Sequence, residues 1–356
     1  MISSIYVILL TLVIVNVFNK NRYLTYFNIA FMFLLGISRN ITVGTDTMGY
    51  EMDFHMLKGF DDVYKLDHGF EWGFLWLIIT FKKYVTNEYL PFVSLIFIPF
   101  LLGVFNFIKY KRVSYPLAIF FLYTWGYYFL AFNIMRQMMT LGLMLMCLPI
   151  LYKGKYVKYA VTVILISLLF HKSGILMLGL IPLHYYIVKK GLFPQKALIY
   201  GILIISFALF FFGKTFMQSF LMPIVLLLDA SSEHYIMGMG NKELGWMFNL
   251  GQTLITCFIV FFYKRGRMDF EFLVFVCGIS LYNIMGMFSV VAPRLACYWT
   301  CFGMVLLPYM QQSDSIKKRK FKYILFFVGV LAYSLYRFLY SYHFNNLGEV
   351  NPFVFR

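Results

Sequence analysis

Phe70-Glu71-Trp72-Gly73-Phe74-Leu75-Trp76-Leu77-Ile78-Ile79-Thr80-Phe81, followed at once by Lys82-Lys83, is the stretch on which the topology of this chain turns. At ~1.5 Å per helical residue it covers only about 18 Å, short of the ~30 Å hydrocarbon core of a bilayer. Counted as a span, it would turn every later basic cluster outward, against the tendency of Lys and Arg to collect on the cytoplasmic side. It is therefore predicted to be a re-entrant or interfacial helix on the outer side, with Trp72 and Trp76 at headgroup level.

The rest of the chain supplies the membrane context. Its 356 residues are 61% hydrophobic and 21% aromatic, only 13% are charged, and the mean hydropathy is +0.75. A soluble protein would carry roughly 25% charged residues. The expected fold is an all-α integral membrane protein, a polytopic helical bundle of about twelve spans. These are Ser4–Phe18, Leu24–Ile37, Leu90–Ile108, Pro116–Phe132, Gln137–Leu151, Tyr156–Phe170, Gly174–Ile187, Lys196–Phe212, Leu244–Tyr263, Phe270–Val290, Leu295–Met310 and Lys322–Tyr340. The first run lacks a basic leader and a small-residue cleavage site, so it reads as a retained span.

The formal net charge is +16. The basic residues sit between apolar runs, at Lys20/Arg22, Lys109/Lys111/Arg112, Lys153/Lys155/Lys158, Lys189/Lys190, Lys264/Arg265/Arg267 and Lys317 to Lys320. That is the pattern of cytoplasmic loops, and no nucleic-acid module accompanies it. Both termini are then outside, with outer-side loops at 39–89 and 213–243. The second loop carries Asp229, Ser231, Ser232, Glu233 and His234, with helix around Phe216–Leu228. One membrane domain, 1–356, is expected. Cys147, Cys257, Cys277, Cys297 and Cys301 all lie in apolar runs and read as packing residues. Asp61 and Asp62 read as a cap or turn, so neither a metal nor a cofactor is predicted.

With the topology set by the basic clusters, polar residues at span ends gather on the outer side. Arg39 opens a polar stretch containing Thr42, Thr45, Asp46, Thr47 and Tyr50. Asn133-Ile134-Met135-Arg136-Gln137 joins two spans with almost no loop, and Arg136 begins a helix whose N-terminal amides favour anions. His171 follows the short span Tyr156–Phe170, Arg294 follows Pro293, and Tyr298 lies one turn further on. Tyr342, His343, Asn351 and Pro352 belong to the tail. Arginines recessed on one face suit a polyanion such as a pyrophosphate, so Arg39, Arg136 and Arg294 are candidate clamps. Asp46, Glu71 and His171 compete for the role of general base. Thr45, Tyr50, Asn133, Gln137 and Tyr298 suit sugar hydroxyls and orientation.

Arg39 with Val43-Gly44-Thr45-Asp46-Thr47 and Tyr50, Glu71 with Gly73-Phe74, Asn133-x-x-Arg136-Gln137, His171-Lys172-Ser173 and Asn351-Pro352-Phe353 occur in this order along the chain. Together they resemble the EpsG-type branch of bacterial Wzy-like polysaccharide polymerases. The resemblance implies a GT-C-like glycosyltransferase of the bacterial inner membrane with its site facing outward. It would join oligosaccharide repeat units carried on undecaprenyl pyrophosphate into O-antigen, capsule or exopolysaccharide. Its partners would be the lipid-linked donor and acceptor, membrane lipid and a chain-length regulator of the same pathway. The rival readings are a lipid-linked oligosaccharide flippase, which needs cations lining a path through the bilayer, and an O-antigen ligase-like transferase.

Overall fold

In the computed structural model, residues 3–40, 42–65, 69–216, 246–286, 291–312, 320–344, 349–350 and 354 are described. They are helical with no strand among them. The expected helix at Phe216–Leu228, the acidic outer loop after it and the Asn351-Pro352-Phe353 motif lie outside the described residues. Two compact units are present. Unit 1 comprises Met1–Ile181, Leu307–Gln312 and Leu331–Arg356, and unit 2 comprises Pro182–Leu306 and Ser313–Val330.

Unit 1 opens with a helical hairpin, α1 (Ser4–Asn19) and α2 (Arg22–Ser38). Lys20 turns the chain at φ 50°, and the Asn21 side chain accepts the N–H groups of Tyr23 and Leu24, capping α2. Where apolar surfaces gain little by meeting each other, buried polar contacts join helices. Asn16 donates to Thr25 Oγ1 at 2.9 Å, and Asn28 donates to the Leu12 carbonyl at 3.4 Å.

After α3 (Thr47–Met56) and a 3₁₀ turn over Phe60–Lys65 comes α4, Trp72–Tyr84. Its 13 residues reach about 20 Å. One face packs Phe74, Ile78 and Phe81 against Phe54, Phe92 and Met139. The other leaves Trp72 and Trp76 67% and 58% exposed, which suits an interface. Lys82 ties α4 to α3 by donating to the carbonyls of Phe54 and Leu57, both at 2.8 Å. A cation there also opposes the negative end of the α3 dipole.

The frame of unit 1 is α5 (Tyr89–Lys111) against α8 (Met135–Tyr152). Gly103 and Gly142 let the two backbones touch, and a Cβ on either would collide with main chain of the other helix. α9 (Tyr156–Phe170) follows α8. Between α5 and α8, the expected single span Pro116–Phe132 is broken into α6 (Tyr115–Thr124) and α7 (Tyr127–Asn133), bent by 51°. The break sits at Trp125-Gly126, with Gly126 at φ 83°. Breaks inside lipid survive only where protein re-satisfies the freed groups. Here Tyr342 donates to the Gly126 carbonyl, and Trp125 Nε1 donates to Ser334 Oγ at 2.9 Å.

The predicted span Gly174–Ile187 is a succession of forms rather than one α-helix. It runs as 3₁₀ over Lys172–Gly179, α over Leu180–His184 (α10) and π over Tyr185–Lys189. Unit 2 contains α11 (Lys196–Phe216), α12 (Trp246–Phe262), α13 (Asp269–Met285) and α14 (Val291–Thr300). The predicted span Leu295–Met310 is likewise divided, because α15 (Gly303–Gln312) starts after a turn at Cys301–Phe302. α16 (Lys320–Phe338) runs on into a π-helical turn over Leu339–Phe344. Inside unit 2, Asn283 donates to Ser206 and Thr253, joining α11, α12 and α13 through neutral polar groups.

Among the described residues, three helices are long and apolar enough to cross a bilayer, Tyr89–Lys111, Met135–Tyr152 and Phe321–Tyr342. The bent pair α6–α7 makes a fourth. Ser4–Asn19, Tyr156–Phe170, Lys196–Phe211 and Trp246–Phe262 are apolar but shorter.

Candidate functional site

Glu71 is the meeting point of three elements of unit 1. It is the N-cap residue of α4, with its backbone extended at φ −70° and ψ 148°. Gly73, the second residue of α4, lets that helix approach α9; a Cβ there would lie 2.5 Å from the Leu169 carbonyl. That approach carries the Glu71 carboxylate to the end of α9, where its Oε1 accepts the Lys172 N–H at 3.0 Å. The same oxygen lies 3.3 Å from His171 Nδ1. The other oxygen, Oε2, accepts from Arg136 Nη1 at 2.6 Å.

Arg136 stands at the start of α8, directly after the α7–α8 junction. Its guanidinium also donates to the Gly69 carbonyl at 3.3 Å and, through Nε, to Tyr50 Oη at 3.4 Å. It lies 4.4 Å from the centre of the Phe70 ring and 5.7 Å from those of Tyr50 and Phe74. Such cation–π contacts hold a guanidinium flat without neutralising it. Among the described residues, Nη2 has no hydrogen-bond acceptor, so its N–H groups are available to an anion.

The electrostatics of Glu71 follow from these contacts. Burial pushes its carboxyl up, since the side chain is only 6% exposed. The neighbouring His171, the Arg136 charge and the Lys172 N–H outweigh burial and hold it below the usual carboxylate range. A carboxylate so stabilised is a poor proton acceptor at neutral pH and a good orienter of a neighbouring imidazole. His171, 26% exposed, places Nδ1 within ion-pair distance of that carboxylate without making a hydrogen bond to it. A carboxylate this close to the ring favours the protonated, charged form of the imidazole.

A second cluster surrounds the α7–α8 junction. Asn133 Oδ1 accepts the Thr45 N–H at 2.6 Å and the Thr45 hydroxyl at 3.2 Å. The Thr45 hydroxyl also lies 2.9 Å from Asp46 Oδ1. Thr47 donates to the Phe132 carbonyl at 3.1 Å. Gly44 sits beneath them at φ 104°, where any Cβ would crowd Thr47, Asn133 and the Phe132 carbonyl. Arg39 belongs to this cluster and is only 4% exposed. It donates to the carbonyls of Gly36 and Phe132, lies 3.1 Å from Met135 Sδ, and covers the Phe132 ring at 4.7 Å.

The structure thus brings together Glu71, Arg136, His171 and Tyr50 as one network, and Arg39, Thr45, Asp46 and Asn133 as another. Asn133 and Arg136 at the two ends of one short junction link them. Gln137 is buried in α8 beside that junction. Arg294 and Tyr298 lie on α14 in unit 2, Arg294 partly exposed and Tyr298 buried. Sequence reasoning did not assign Phe70, Phe74, the Gly69 carbonyl or the Lys172 amide to the site. The aromatic residues flanking Glu71 were the available signal for the first two. Among the described residues, no group of three or more His, Cys, Asp or Glu side chains converges.

No curated protein and no solved structure matches the chain significantly. The model of the EpsG family does match, over residues 23–353, a span that includes both polar networks and every helix after the first turn of α2. With nearly its whole length matched, the chain belongs to the EpsG family.

Proposed function

We propose that the chain is a polysaccharide polymerase, a membrane glycosyltransferase that joins undecaprenyl-pyrophosphate-linked repeat units on the outer face of the bacterial inner membrane. Membership of the EpsG family supports a role in polysaccharide synthesis, and the apolar helices support a membrane location. The observation that carries the reading is the bridge made by Glu71 between Arg136 and His171. It sets an anion-binding group and a proton acceptor on opposite sides of one carboxylate.

In this reading Arg136 Nη2 binds the donor pyrophosphate and stabilises the charge that grows on it as the glycosidic bond breaks. His171 Nε2 takes the proton from the acceptor hydroxyl, and Glu71 stabilises the resulting imidazolium. The acceptor oxygen forms its bond to the anomeric carbon as the bond to the pyrophosphate oxygen breaks. The products are the elongated chain on one carrier and free undecaprenyl pyrophosphate. Asp46, Thr45 and Asn133 orient hydroxyls, and Arg39 holds the junction that carries Asn133 and Arg136. Gln137 is assigned to a sugar contact on its residue type.

Cells carrying His171→Gln as the sole copy test this reading. Lipid-linked single repeat units are expected to accumulate on the outer face with little polymer. Polymer of normal amount and length in that strain contradicts it.

A further inference from the structure

The far end of the α5–α8 pair carries a second candidate site. Arg136 and the Phe92 cluster lie at one end of these helices, and a cavity of about 640 Å³ lies at the other. Lys109, Arg112, Asn106 and Tyr110 of the α5 end line it on one side, and Met146 and Pro149 of α8 on the other. Basic residues at a helix C-terminus are ordinarily explained by the dipole, and Arg112 does cap α5 through its N–H. The dipole does not account for a cavity beside them, nor for the local charge balance. No acid occurs in 106–115 or 145–160, whereas Lys109, Lys111, Arg112, Lys153, Lys155 and Lys158 do. Among the described residues, neither Lys109 nor Arg112 forms an ion pair.

The α8 wall is apolar, with one polar opening. Pro149 lacks the N–H that would pair with the Leu145 carbonyl one turn earlier, and both residues line the cavity. Lys111 lies over the Tyr152 ring at 3.6 Å and is not part of the lining, whereas Lys109 and Arg112 are. Two cations above an apolar wall, in a chain with membrane helices, match a phosphate head attached to acyl chains better than a soluble anion. We propose that this cavity binds the head group of an anionic phospholipid, with the phosphate on Lys109 and Arg112 and an acyl chain along Met146 and Pro149.

The full chain, purified in a neutral detergent, is melted with added phosphatidylglycerol, phosphatidylcholine or inorganic phosphate. Phosphatidylglycerol is expected to raise the midpoint by several degrees more than phosphatidylcholine, and inorganic phosphate to leave it unchanged. That difference should fall at least threefold in Lys109→Ala/Arg112→Ala. It should fall equally in Met146→Trp, which keeps both charges and fills the cavity. Lys153→Ala/Lys155→Ala, which lies outside the lining, should retain it. Retention of the full difference in either cavity variant overturns the proposal. So does an equal loss in the Lys153/Lys155 variant, or an equal shift with inorganic phosphate.

Discussion

Arg39 and Arg136 flank the same helical junction, yet their surroundings differ in kind. Arg39 lies between the carbonyl ends of α2 and α7, through Gly36 and Phe132, and is nearly inaccessible. Helix C-termini carry partial negative charge, so a guanidinium can be buried between two of them without a carboxylate. Arg136 instead faces the carboxylate of Glu71 and an aromatic surround, with Nη2 available to an anion. The difference teaches that residue type and position at a helix end do not assign a role. Neutral carbonyl partners make an arginine a fastener, whereas a carboxylate shared with a histidine makes it part of a charge-handling network.

The largest expected effect is at Arg136. Arg136→Ala should lower elongation by about 10²–10³-fold, the usual cost of removing a group that stabilises developing charge. It should also cost roughly 3 kcal/mol of stability, because the buried Glu71 carboxylate loses its arginine partner. Arg136→Lys keeps the charge but not the planar fork, so melting in detergent should recover more than elongation does. Comparable recovery of both would remove the argument that the planar guanidinium is required.

His171→Gln comes next, with elongation down by about 10²-fold or more for loss of the proton acceptor. Its melting temperature should stay close to wild type, since the ring is partly exposed. Arg39→Lys should do the reverse. Loss of charged hydrogen bonds to carbonyls costs roughly 2 kcal/mol, while the KM for the lipid-linked donor should stay near that of wild type. If Arg39→Lys raises that KM as much as Arg136→Lys does, the contrast between the two arginines collapses.

The smallest effect is on pH dependence. The Glu71 carboxyl is held below its unfolded value of about 4.3, so its contribution is fully present above that pH. It declines as the pH falls through the lower folded value. Wild type should therefore lose part of its melting temperature on acidification below about pH 4.3, and Glu71→Gln should lack that component of the loss. An identical acid limb in both proteins would show that Glu71 is not the group responsible.

How much of this was legible beforehand depended on the kind of interaction. Apolar runs and basic clusters announce helices and a membrane, and the polar residues at run ends announce where chemistry could gather. The pairing of Glu71 with Arg136 across 65 residues is invisible to local pattern, as is the close approach of Gly73 to Leu169 that sets α4 against α9. The fastening of Arg39 was equally hidden, since its main acceptors are backbone carbonyls, which composition does not reveal. The break of Pro116–Phe132 had a signal in Gly126. Its stability, however, rests on Tyr342 and Ser334, more than two hundred residues away. The divided segments at 172–189 and 291–312 show the same limit, because apolar content marks depth in a membrane and not continuity of a helix.

Elongation by the purified chain, given a defined undecaprenyl-pyrophosphate-linked repeat unit, tests the central claim most directly. Wild type and Arg39→Lys should yield a ladder of lengthening chains with release of undecaprenyl pyrophosphate, and Arg136→Ala should yield neither. A ladder from Arg136→Ala at the wild-type rate would contradict the account.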